Sequence, residues 1–344
     1  MTDINLKKII RIGLVGYFIA ISLFTAGVFS RIMNGSKFGV PKYLIYGAAV
    51  LVLTVAVLLY ALHLSRAFSR GKNAFGLRVL RTVHKYRFLI EQLVTRDFKI
   101  KYKRSVLGVF WSFLNPLLMM IVQYVVFSYL LNFRGTVEHY ALYLLCGIVI
   151  WNGFNDCSTQ SMRSITGNAH LITKVYVPKY IYPVTKVLSA SINVLLSMVP
   201  LLLVTVIYGL IATPKLYLST AVLLLPLALL LLLVFCIGIG FILSSLMVFF
   251  HDIEFLWTVF STIWMYATPI IYSLEMFADR APWLITVMQF NPMYHYINFV
   301  RSIVLYRTAP SFLEMGITAL ISVFTFAVGF LIFRKSQDKF VLYL

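Results

Sequence analysis

Eight stretches of roughly 20 apolar residues, at 12–30, 43–64, 109–131, 140–162, 184–210, 221–249, 256–272 and 312–333, run through this chain with almost no charged side chain inside them. Each is long enough to cross the ~30 Å hydrocarbon core of a bilayer as a helix. Hydrophobic residues fill 61% of 344 positions and charged ones 12%, whereas a soluble domain carries roughly a quarter charged residues. No self-made core hides that much apolar surface, so lipid must cover the rest. Backbone groups inside lipid must satisfy one another, which selects helices, and the expected fold is an all-α integral membrane protein.

Charge sets the orientation. With Met1 on the cytoplasmic side, inner segments hold 22 of the 30 Lys and Arg residues, counting Lys186 at the inner end of the fifth span, and outer segments 8, and residues 65–107 alone hold 12. The positive-inside rule then places both termini in the cytoplasm. The basic start followed by an apolar run has no small-residue cleavage site after it, which reads as an uncleaved first span. Residues 1–64 form a two-span hairpin, 65–85 a basic cytoplasmic connector, and 86–344 a six-span unit. The net charge of +19 lies beside apolar spans, so anionic membrane lipids are its expected partner and nucleic acid is not. A polyphosphate-bearing substrate would use the same field. Cys146, Cys157 and Cys236 lie in apolar segments and are expected to pack as small hydrophobes.

Three segments carry candidate mechanism. In residues 95–131 a cationic stretch with Arg96, Lys99, Lys101, Lys103 and Arg104 passes through a Ser-Val-Leu-Gly corner into a span. Tyr86, Leu89, Ile90, Leu93, Val94 and Ile100 share one helical arc, which predicts an interfacial amphipathic helix. Asp97 interrupts that arc, and Lys101 four residues on is its expected partner. The alternation around Ile100 also fits a strand, but an isolated strand leaves backbone groups unpaired at the headgroup level. As a plain positive-inside anchor the segment needs no further role. Residues 163–183 read as a short helix between turns, with Asn168 as cap, the apolar pair Leu171 and Ile172, and prolines at Pro178 and Pro183. That pair seeks either a partner protein or the membrane surface. The outer stretch 273–310 is too apolar for a solvated loop; it predicts two short re-entrant helices, near residues 282–289 and 292–306, with Asn291-Pro292 as a helix start.

Aromatics such as Trp111, Tyr124, Phe127, Tyr140, Trp151, Phe154, Trp257, Phe260, Trp264 and Tyr266 fall within spans as belts, core packing or the lining of a conduit. Asp156, an acid inside a span, is a default functional candidate, with water or Arg163 as the plainer partner. There is no GxxxxGK[ST] loop and no clustered metal-ligand spacing, so neither nucleotide nor metal chemistry is expected of this chain.

In order, RDFKIKYKRSVLGVFWSFLNPLL, NAHLITKVYVPKYIYP, ATPIIYS and NPMYHYINFVRSIVL resemble the membrane permeases of ABC exporters for polysaccharides (O-antigen, capsule) and teichoic acids, over about residues 86–344. The resemblance implies a six-helix ABC exporter transmembrane domain, with the N-terminal two-helix hairpin as an addition to that plan. It implies a homodimer in a bacterial cytoplasmic membrane with two copies of a separate ATPase beneath it. ATP and Mg would belong to that partner, leaving no cofactor and no catalytic residue in this chain. The substrate it implies is a lipid-linked glycan. On this likeness the cationic helix is a gate beside the substrate entrance, with Arg96, Lys99, Lys101, Lys103 and Arg104 facing the headgroup. The segment 167–175 is a coupling helix using Asn168, His170, Leu171, Ile172 and Lys174. The outer helices are a gate with Pro282, Trp283, Asn291, Pro292 and Tyr296. Apart from the likeness, Trp111, Tyr124, Phe127, Trp151, Trp264 and Tyr266 are candidate pathway aromatics, because the flat apolar faces of sugars stack on aromatic rings. Export of a small lipid or drug, and an ATP-independent channel or structural role, are the competing readings.

Overall fold

A computed structural model describes residues 85–103, 105–130, 139–174, 177–212, 219–277 and 281–344. The proposed hairpin 1–64, nearly all of the connector 65–85, and Arg104 lie outside the described residues. The chain divides into two units, Met1–Glu91 and Gln92–Leu344; apart from the first residues of the cationic helix, the described helices belong to the second.

The described secondary structure is helical. Helix α1 (Arg87–Tyr102) carries the cationic segment, so the helical alternative prevails over the strand. At the corner after it, Gly108 takes φ +50°, a left-handed conformation that costs a side-chain-bearing residue, and its N–H donates to Ser105 Oγ at 3.0 Å. The chain then enters α2 (Trp111–Val125), extended by a π-helical turn over Val126–Leu130. Helix α3 spans Tyr140–Met162, α4 Ala169–Lys174, α5 Ile181–Ala212, α6 Leu225–Phe249 and α7 Ile253–Tyr266. The outer stretch forms α8 (Pro282–Gln289) and α9 (Pro292–Val304), and α10 (Phe312–Ser336) returns, followed by the short α11 (Phe340–Tyr343). Ser311 and Glu314 close a reciprocal capping box at the start of α10.

Among the described residues, four helical stretches are long and apolar enough to cross a membrane: Gly108–Tyr129, Ile181–Leu210, Thr220–Phe249 and Phe312–Tyr343. Two expected spans look different, for separate reasons. Helix α3 has 23 residues but carries Asn152, Asn155, Asp156 and Gln160; it packs against α2, α5, α6 and α9, so protein rather than lipid covers most of it. The expected span 256–272 is broken. Helix α7 stops after 14 residues, about 21 Å at 1.5 Å per residue, because Pro269 lacks an amide donor and disfavours helical geometry in the residue before it.

Small residues set the tightest contact, between α6 and α10. A Cβ placed on Gly329 would lie 2.1 Å from the Gly238 carbonyl oxygen, and one on Gly238 would lie 2.6 Å from the Thr325 backbone. Bare glycines let the backbones approach, which is how helices gain dispersion contact where lipid offers no hydrophobic drive. Gly329→Ala must push the two helices apart and is expected to cost about 1–3 kcal/mol, as overpacking does. Thermal unfolding of the purified protein in detergent will show this as a fall of several degrees in Tm. Two buried hydroxyls answer to carbonyls one turn back: Ser158 donates to Phe154 O and Ser245 to Phe241 O, each at 2.8 Å. All three cysteines are buried and free, as packing groups should be.

Candidate functional site

Leu93, Asp97 and Lys101 recur at every fourth residue of α1 and so share one face. That face meets the bundle at Leu93 and Asp97, while Lys101 at its end keeps 42% of its side chain exposed. Leu93 is buried, and the Asp97 side chain is only 7% exposed, whereas Ile100 of the expected apolar arc is 66% exposed. The expected arc holds through Val94, with Asp97 interrupting it and Lys99 and Lys103 pointing away; Ile100 is the member that departs from it.

The partners are also different from those expected. Asp97 does not pair with Lys101; its carboxylate sits 3.1 Å from Arg96 and 2.9 Å from Lys186 of α5. Lys101 instead donates to Asp156 of α3 at 2.8 Å. Asp156 also accepts from Gln160 at 2.7 Å and from Asn193 at 3.3 Å, while Arg163, the plainer partner expected for it, pairs with Glu254. Tyr102 OH donates to Asn193 Oδ1 at 2.6 Å. Between α1, α3 and α5 lies an open-sided cleft of about 470 Å³, which Arg96, Lys101 and Lys186 line together with Asp97 and Asp156. Lys99 and Lys103 are exposed and make no ion pair among the described residues.

Gly167 also lines this cleft, so the turn before α4 abuts the cationic helix. Asn168 does not cap α4. It is buried, its Nδ2 donates back to Ser164 O at 2.7 Å, and its Oδ1 accepts from Arg96 at 3.2 Å. Asn168 is thus an internal link between α1 and the α4 turn, not an outward contact. Leu171 and Ile172 are half-buried, and His170 and Lys174 are exposed.

On the opposite side, α8 and α9 meet the unwound stretch after α7. Asn291 caps α9 by accepting from Met293 N at 3.0 Å, takes the Trp264 indole N–H at 2.8 Å, and donates to Thr268 Oγ1 at 2.8 Å. Carbonyls freed by the break at Pro269 find donors in α3 and α9. Tyr140 OH donates to Ile271 O and Tyr143 OH to Tyr272 O, each at 2.7 Å, and buried Arg301 donates to Pro269 O at 2.8 Å and Ile270 O at 3.0 Å. The Arg301 guanidinium also lies 3.3 Å from the Tyr143 ring centroid, a cation–π contact. Irregular backbone at this depth persists only where protein supplies such partners.

Tyr296, placed at the outer gate by sequence, is buried and hydrogen-bonds Ser322 at 2.6 Å; Trp283 is 66% exposed. The aromatic candidates separate in the same way. Trp151 is buried against Phe154 and Trp264, which makes it core. Trp111 and Tyr266 are exposed, and Tyr124 and Phe127 are half-buried.

This chain belongs to the ABC-2 type transporter family, whose pattern matches residues 89–305 and so takes in most of the cationic helix, the short turn-flanked helix and the tyrosine-supported break. It is similar to the O-antigen export system permease protein RfbA of Klebsiella pneumoniae, 28% identical over 252 residues that make up 73% of this chain and 93% of that protein. The protein of the same name in Myxococcus xanthus is 27% identical over 264 residues, 77% of this chain and 98% of that one.

Proposed function

We propose that the chain is the transmembrane half of an ATP-driven exporter that moves a lipid-linked polysaccharide or teichoic acid out across a bacterial cytoplasmic membrane. Two copies form the passage by a six-span plan with both termini inside, and two copies of a separate ATPase, carrying ATP and Mg, dock on the cytoplasmic side. Similarity that takes in 93% and 98% of two O-antigen export permeases and about three quarters of this chain supports the glycan cargo. The observation that carries the reading is the cleft holding Arg96, Lys101 and Lys186 directly beside the α4 turn, because it puts an anion-attracting entrance next to the place where the ATPase would push. Exposed Lys99 and Lys103 add a field that draws in a phosphate headgroup.

Charge reversal of Lys101 and Lys103 to Glu is expected to cut the stimulation of ATP turnover by polyprenyl pyrophosphate at least severalfold in the assembled transporter. An unaltered response would reduce the segment to a topological anchor.

A further inference from the structure

Lys99 and Lys103 of the cationic helix face outward, whereas Lys101 and Asp97 are already engaged. Lys101, at the cleft, is held by Asp156 at 2.8 Å, and Asp97 is held by Lys186 at 2.9 Å. Both pairs cross from α1 to the bundle, one to α3 and one to α5. Asp156 in turn is oriented by Gln160 and Asn193, so its carboxylate is set in place opposite the lysine. Arg96 ties the same helix to Asn168 before α4.

We infer that Asp156 is an internal stand-in for the substrate's anion: it occupies Lys101 and latches α1 against the bundle until a phosphoryl group displaces it. This rests on the reading of the cargo as an anionic lipid-linked glycan. The chemistry is competition of two anions for one ammonium. A carboxylate brings one negative charge, whereas a pyrophosphate brings more charge and more acceptor oxygens, so it takes the lysine from Asp156. Release of that pair loosens α1 beside Asn168, and the signal of an occupied cleft reaches the α4 turn through Arg96. Asp156 is therefore a positioning residue that sets the threshold for substrate at this open-sided cleft.

Two readouts separate this latch from a merely structural pair. In lipid nanodiscs without substrate, Asp156→Asn and Lys101→Gln should each speed amide hydrogen exchange in α1 severalfold. In the transporter assembled with its ATPase, the two variants should act in opposite directions on the response to polyprenyl pyrophosphate. Asp156→Asn lowers the half-saturating concentration about threefold or more, since the lysine is no longer occupied; Lys101→Gln raises it. Asn keeps the shape and one of the two amide contacts, and Asp156→Glu, which retains the charge, should stay close to wild type, so a folding defect is recognisable. If both variants weaken the response alike, or neither alters α1 exchange, the latch is overturned. Inorganic pyrophosphate serves as a second probe: a shift equal to that of the lipid would show that the cleft takes a soluble anion and would overturn the assignment to a headgroup. Should the wild-type transporter ignore polyprenyl pyrophosphate, the cargo reading fails, while the exchange data still judge the latch.

Discussion

Replacing Leu171 and Ile172 with Asp is expected to abolish co-purification of the ATPase while leaving the permease folded. Both side chains are half-buried on a helix of only six residues, so little of the bundle depends on them. Burying a large aliphatic side chain contributes about 1.5–3 kcal/mol. Losing two at an interface, and placing carboxylates there instead, amounts to roughly 10²-fold or more in affinity. Pull-down with the tagged ATPase checks this, with Tm in detergent as the control for folding. Retained assembly and transport would remove α4 as the docking element. His170 and Lys174, exposed on the same helix, are expected to tune the contact rather than make it.

Arg301→Met is expected to be among the most destabilising single changes in the described fold. The guanidinium donates to Pro269, Ile270 and Tyr143 carbonyls from a fully enclosed position, and covers the Tyr143 ring. Removing it strips the unwound stretch after α7 of its main donor, and each buried carbonyl left without a partner costs about 1–3 kcal/mol. Relief from burying a cation works the other way. That relief is partial, because the carbonyls and ring face already replace the water the cation lost, so a net loss of about 2–4 kcal/mol is expected on those same grounds. Lys reaches one carbonyl but lacks the fork, so Arg301→Lys should fall in between. Thermal unfolding monitored by tryptophan fluorescence ranks the three proteins; a Met variant as stable as wild type would show that Tyr140 and Tyr143 hold the break alone.

Local features are legible from sequence, and long-range pairing is not. The Gly108 corner, the Asn291-Pro292 helix start and the short outer helices follow from turn and cap chemistry within a few residues, and the structure places α8 and α9 where that chemistry puts them. Asp156 stands out as an acid inside a span, yet its partner Lys101 lies 55 residues earlier, and no periodicity reports such a pair. Proximity along α1 matches Asp97 to the nearest lysine on its own helix, because only the packing of α1 on α5 reveals Lys186. Arg301 escapes sequence reasoning altogether. Its signal is present, since it sits four residues after Ile297 on the apolar side of α9, where a cation demands buried acceptors. The break after Tyr266 is hidden because hydropathy alone does not register the backbone cost of Pro269.

The central claim is that passage through this chain is driven by an attached ATPase. Flux of a polyprenyl-linked glycan across proteoliposomes, measured for the permease reconstituted with its ATPase, tests it most directly. Export that requires both proteins and stops when ATP is withheld is the predicted result; equal flux from the permease alone without nucleotide would contradict the account.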